Sequence, residues 1–142
     1  MRTIKFRARK KDSGKLIGYF NLNNITEYTF GQLRDYIGNL VLEQFTGLKD
    51  KNGKEIYEGD ILKQGEGEHK TFIEVKFGNG TFDSEIYNFT GFYGVYLKVG
   101  FGGGFKKGDL CEDMDEITQE ECGRREVIGN IYENPEMMEE QK

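Results

Sequence analysis

Residues 2–9 alternate strictly: Ile4, Phe6 and Ala8 fall on one side of an extended chain, and Lys5, Arg7 and Arg9 on the other. A period of two is the mark of a strand with one buried and one solvated face, so these cations are expected outside. Lys11-Asp12-Ser13-Gly14 supplies turn residues and the apolar pattern resumes over residues 16–20, which predicts a β-hairpin across residues 2–20. Asn21, Asn23 and Asn24 read as a loop. Phe30, Leu33, Tyr36 and Ile37 have the spacing of a short helix ending near Gly38.

Residues 40–48 predict a strand that runs into Asp50-Lys51-Asn52-Gly53. Asn52-Gly53 is a strong hairpin signal because a type I′ turn needs two residues at positive φ. Residues 55–57 form the return strand. In Glu58-Gly59-Asp60 the glycine is expected to supply positive φ, and the aspartate to bond nearby backbone as the chain enters a strand at 61–63. A polar loop covers 64–70. Over residues 72–77 the alternation puts Phe72 and Glu74 on one face and Ile73, Val75 and Phe77 on the other. Gly78-Asn79-Gly80 predicts a turn, followed by strands at 82–92 (with a break) and 93–99 and a loop at 100–108.

The acidic residues 111–123 place Met114, Ile117 and Glu121 at helical spacing, closed by Gly123. A last strand is predicted over 126–132, where Gly129 marks a bulge or a close backbone approach and Asn130 a side-chain bond to a neighbouring loop. Asn134-Pro135-Glu136 has the form of a helix start: cap, proline at the first position, acid in the first turn. About seven or eight short strands with turns every 8–12 residues or so indicate a sheet folded on itself, a sandwich or small barrel.

Composition changes this picture in one respect, the distribution of charge. The net charge is −5, but residues 1–71 carry 13 Lys and Arg against 10 Asp and Glu, whereas residues 72–142 carry 7 against 15. A basic front half and an acidic rear half suit intramolecular pairing, head-to-tail association or a local basic patch. No apolar stretch approaches the roughly 18 residues of a membrane span, and the charged N-terminus is followed by no apolar signal region. A reducing cytoplasm is the expected setting, with Cys111 and Cys122 as free thiols.

Candidate chemistry is sparse. Cys111, Cys122 and the lone His69 fall one ligand short of a zinc site. The glycines at 100–104 complete no phosphate loop: Gly108 is followed by Asp109 instead of Lys-Ser/Thr, and Phe105 stands where a third glycine belongs. The acidic run at 112–121 has Thr118 where a calcium loop requires glycine. No catalytic residue, cofactor or metal is expected, and the chain reads as a non-enzyme. The best contact candidates are the hairpin cations Lys5, Arg7, Arg9, Lys10 and Lys11, beside Tyr19 and Phe20. They suit a protein partner or the phosphates and bases of a nucleic acid, or simply protect an edge strand by charge.

Three segments carry a family resemblance. Residues 45–62 (through Asp50-Lys51-Asn52-Gly53 and Tyr57-Glu58-Gly59-Asp60), residues 126–135 (through Gly129-Asn130-Ile131-Tyr132) and the opening Ile4-Lys5-Phe6-Arg7-Ala8 resemble the YopX family of phage and prophage proteins. The resemblance implies a small SH3-type β-barrel with no established enzymatic activity or cofactor, and it points to self-association. Asn52, Gly53, Tyr57, Gly59, Asp60, Gly129 and Asn130 then mark a fold and not an active site. The expected organisation is mainly β. An N-terminal hairpin arm spans 1–38, an SH3-like barrel 39–133, and a short helix or tail 134–142. The expected function is that of a phage accessory protein working through contacts with itself or with phage or host proteins in the host cytoplasm. A nucleic-acid-binding barrel using the basic hairpin is the alternative.

Overall fold

The turn at Lys11–Gly14 forms as its residues dictate. Gly14 takes φ 71°, the Asp12 carboxylate accepts the Ser13 amide at 2.7 Å, and the Lys10 amide donates to the Lys15 carbonyl at 3.0 Å. It joins β1 (Lys5–Lys10) to β2 (Leu16–Asn21) in antiparallel register, with Phe6 opposite Phe20 and Arg7 opposite Tyr19. The computed structural model describes residues 4–21, 38–82, 87–98, 107–110 and 119–138. The helix predicted within 21–38, the glycines at 100–104 and most of the acidic segment at 111–118, Cys111 included, lie outside the described residues.

The remaining strands are β3 (Leu40–Lys49), β4 (Glu55–Tyr57), β5 (Asp60–Gln64), β6 (Thr71–Phe82), β7 (Tyr87–Lys98) and β8 (Glu126–Asn130). A helical turn α1 (Gln119–Cys122) precedes β8, and 3-10 turns occupy Gly67–His69 and Pro135–Met138. The chain is therefore mainly β. Its strands pair antiparallel into two four-stranded sheets, ordered β2-β1-β3-β4 and β7-β6-β5-β8. Among the described residues no ladder joins these sheets into a closed barrel. The tight turn at Glu58-Gly59 carries the chain from one sheet to the other. The N-terminal hairpin is part of the first sheet, since β1 pairs with β3 from Phe6 opposite Gln44 to Lys10 opposite Leu40.

One predicted turn is a strand. β6 runs straight through Gly78-Asn79-Gly80, with Gly78 opposite Gly91 and Gly80 opposite Phe89. Gly78 and Gly91 take φ 151° and 153°, a mirror-extended conformation open to glycine. The cross-strand glycine pair lets a sequence of turn composition continue a ladder. Next to it Phe77 and Phe92 pack with ring centroids 4.8 Å apart.

The core gathers Ile56, Leu62, Ile73, Val75, Phe92, Tyr96, Cys122 and Val127 between the second sheet and its neighbours. Leu62, Ile73 and Val75 are fully enclosed, each contributing roughly 1.5–3 kcal/mol of apolar burial. The loop at Asp50 is tied to this core. Its carboxylate accepts the amides of Asn52 at 2.8 Å and Lys54 at 2.9 Å, and the Val127 amide of β8 at 2.9 Å. Burial works to raise that carboxyl, but the three amides outweigh it and hold it below the ordinary aspartate value. Gly53 sits at φ 81°, as its place in the loop requires.

Candidate functional site

The cations of β1 turn inward. Arg7 is 6% exposed and Arg9 1%, against the expectation that they share a solvated face. The alternation is real, but both faces of β1 are covered, since Ala8 between them is also buried. A guanidinium loses its hydration there only where carboxylates replace it. Glu43, directly opposite Arg7 across the β1–β3 ladder, takes Arg7 Nε at 3.0 Å and Arg9 Nε at 2.5 Å on one oxygen. Asp60, at the start of β5, takes Arg7 Nη2 at 2.7 Å. Asn130, ending β8, donates its amide group to Glu43 at 3.0 Å and Asp60 at 3.2 Å. Arg9 also reaches Glu133 at 3.0 Å and the Gly14 carbonyl at 3.1 Å. Two buried cations thus face two buried anions, with Glu133 at the rim, and the network clamps the hairpin to the second sheet.

The backbone is shaped to admit these groups. Gly59 takes φ 88°, and a Cβ there would run into the Glu43 carboxylate. A Cβ on Gly129 would meet the Asn134 side-chain oxygen, which accepts the Asn130 amide at 3.1 Å. The β5–β8 register shifts at this point, with Ile61 opposite Gly129 but Leu62 opposite Val127, so the close approach and the bulge predicted for Gly129 coincide. The Asp60 carboxylate also accepts the Tyr57 amide at 2.9 Å. Burial pushes Asp60 above the ordinary aspartate range, with Arg7 and the Tyr57 amide pulling it back. The Arg7 guanidinium lies over the Tyr57 ring at 4.5 Å, and that ring meets Phe45 and Tyr19 at centroid distances of 5.4 and 5.9 Å.

Of the residues singled out in the sequence, Arg7, Arg9, Tyr57, Gly59, Asp60, Gly129 and Asn130 therefore meet in one place. Asn52 and Gly53 lie apart in the β3–β4 loop. Lys5 pairs with Glu55 at 2.5 Å and lies over Phe45. Lys10 and Lys11 remain exposed, with Lys11 Nζ donating to the Gly38 carbonyl at 2.9 Å. Sequence reasoning missed Glu43, Glu133 and Tyr132. The available signal was Glu43 itself, a single acid inside the apolar run of 40–48.

Beside the cluster the two sheets part. β3 pairs with β4 only from Phe45 onward, and β6 runs beyond β5, whose pairing stops at Glu74. The gap is a cleft of about 320 Å³, lined by Val41–Glu43 of β3, the Glu58-Gly59 turn, Glu74–Phe77 of β6, and Tyr93 and Tyr132. Burial raises the Glu58 carboxyl, Glu43 adding to the effect and the Gln44 amide opposing it. Burial likewise raises Glu74, against a smaller pull from Lys76. Elsewhere the hairpin presents large apolar side chains to solvent: Ile4 at 48%, Ile17 at 37% and Tyr19 at 51% exposure. Among the described residues no helix is long and apolar enough to cross a membrane. Nor, among them, do three His, Cys, Asp or Glu side chains converge as metal ligands.

No curated protein matches the chain. Among solved structures, the crystal structure of protein EF1440 from Enterococcus faecalis is similar over 98% of this chain and 100% of that one, with 21% identity and a TM-score of 0.50. That likeness is one of fold. The family described as YopX protein matches residues 4–139. With nearly its whole length matched, the chain belongs to the YopX family.

Proposed function

We propose that this protein is a non-enzymatic accessory protein of phage or prophage origin, working in the host cytoplasm through protein–protein contacts, first of all with a second copy of itself. We take its two sheets as halves of a small SH3-type barrel left open at the cleft. The observation that carries the reading is the surface of the N-terminal hairpin. Ile17 and Tyr19 are exposed on β2, with Ile4 exposed just before β1, and no described strand covers the outer edge of β2. An apolar strand edge is a surface that proteins cover by pairing. Charge favours a second copy as the occupant: Lys10, Lys11 and Lys15 are exposed at the hairpin tip, and residues 72–142 carry 7 bases against 15 acids. The ion cluster supports a structural role for the most deeply buried charges, because each already has its partner.

Light scattering coupled to size exclusion tests this. The expected result is a mass of two or more chains at low salt, shifted toward one chain by Ile17→Lys with Tyr19→Lys. A single-chain mass at high protein concentration, in both low and high salt, overturns it. The exposed lysines also favour a second reading, nucleic-acid binding. A low-salt polarisation titration with a single-stranded oligonucleotide separates the two. The proposal expects no binding there, and binding lost on Lys10→Glu with Lys11→Glu would favour the alternative.

A further inference from the structure

The cleft contains a carboxylate that the ion cluster does not use. Glu74 is 5% exposed, yet among the described residues its side chain has no hydrogen-bond or ion-pair partner, not even Lys76 two residues along β6. Among the described residues no fully enclosed side-chain oxygen or nitrogen lacks a partner. The Glu74 carboxyl therefore keeps its small remaining surface open, and the cleft it lines is where that surface lies.

The groups facing it come from every strand around the gap. Glu43 of β3 is committed to Arg7, Arg9 and Asn130. Glu58 gives one oxygen to the Gln44 amide at 3.3 Å and keeps the other. Tyr132 brings its ring and hydroxyl from beyond β8, Tyr93 contributes from β7, and Lys76 is the one base in the lining. Burial raises the Tyr132 phenol and the charges of Glu43, Glu58 and Glu74 raise it further, while the Arg9 guanidinium, 5.9 Å from the centre of the same ring, pulls it down.

We propose that this cleft binds a small organic cation: a primary alkylammonium held by Glu74 and Glu58, with its carbon chain against the Tyr132 ring. A desolvated carboxylate without a counterion is unfavourable, and an ammonium supplies both the missing charge and three donors. A cavity of about 320 Å³ admits a molecule of a few heavy atoms. The tyrosine face adds the attraction of an aromatic ring for a cation. A metal ion is a poorer fit, since an alkyl chain uses the apolar part of the wall and a bare ion does not.

The pH dependence follows in sign. Glu58 and Glu74 must be ionised to hold the cation, and both titrate above the ordinary glutamate value. Affinity is therefore full at alkaline pH and falls as pH drops through those raised values. For stability the sign is opposite: a raised folded-state value favours folding at low pH and loses that advantage as pH rises. Glu74→Gln is accordingly expected to keep or raise the melting temperature at neutral pH, so loss of binding in that variant is not loss of fold.

The test is an amide-shift NMR titration with 1,4-diaminobutane, using 1,4-butanediol as the uncharged control. Saturable shifts at residues 74–77 and 132 are expected with the diamine. Binding should be at least about tenfold weaker for the diol and about tenfold weaker in each of Glu74→Gln and Glu58→Gln. Absence of saturable binding up to tens of millimolar, equal binding of the diol, or undiminished binding in both variants overturns the proposal. Self-association is read separately, so either result stands without the other.

Discussion

Glu43→Ala is expected to destabilise the protein by about 3–5 kcal/mol, the cost of removing one partner from a buried ion pair. The wild-type carboxylate answers two guanidinium groups and the Asn130 amide at once. Without it Arg9, 1% exposed, keeps Glu133 at the rim, a backbone carbonyl and the Tyr132 ring. Arg7 keeps Asp60 as its one carboxylate, with the Tyr57 ring against it. Hydrophobic substitution of a whole buried network can be neutral, but truncating a single member strands its partners. Because small domains are stable by only about 5–15 kcal/mol, this variant should unfold at a much lower urea midpoint with little change in slope. A midpoint shift worth less than about 1 kcal/mol would show the cluster to be solvated and loose.

The second large effect is expected at Gly59. An alanine there must hold φ near the wild-type 88°, which is strained for an L side chain, and its Cβ meets the Glu43 carboxylate. Backbone strain of about 1–3 kcal/mol adds to a displaced charge-assisted network, so about 3 kcal/mol is expected in total. Glu43→Ala with Gly59→Ala should be sub-additive, since removing the carboxylate clears the space the new Cβ needs. Thermal melts of the two single variants and the double check this. Full additivity would place the cost of Gly59→Ala entirely in the backbone.

Much of this site was legible as local chemistry. Gly59, Asp60, Gly129 and Asn130 each carry a conformational or capping role that their residue types announce, and the structure brings Gly59, Asp60 and Asn130 into the ion cluster, with Gly129 beside the Asn134 side chain that accepts the Asn130 amide. The phase of β1 was legible as well: period two says correctly that Arg7 and Arg9 share a face. It does not say which face is inside. That depends on Glu43 and Asp60, which lie 36 and 53 residues away from Arg7, and no local pattern contains a contact of that range. The same limit explains β6. Gly78-Asn79-Gly80 has turn composition, and only the glycine opposite Gly78, at position 91, makes it a strand. The alternation puts Glu74 on the face opposite Ile73 and Val75, but its burial depends on β3 and the residues after β8 closing over it.

The buried charges act as one structural clamp between the hairpin and the second sheet. A double-mutant cycle on Arg9 and Glu43, the pair at 2.5 Å, tests this most directly, using unfolding free energies of Arg9→Met, Glu43→Gln and the double variant. The clamp predicts a coupling of about 2 kcal/mol, the double variant losing less than the two singles together. Additivity within about 0.5 kcal/mol would mean that the two side chains do not depend on each other and that the hairpin is held by something else.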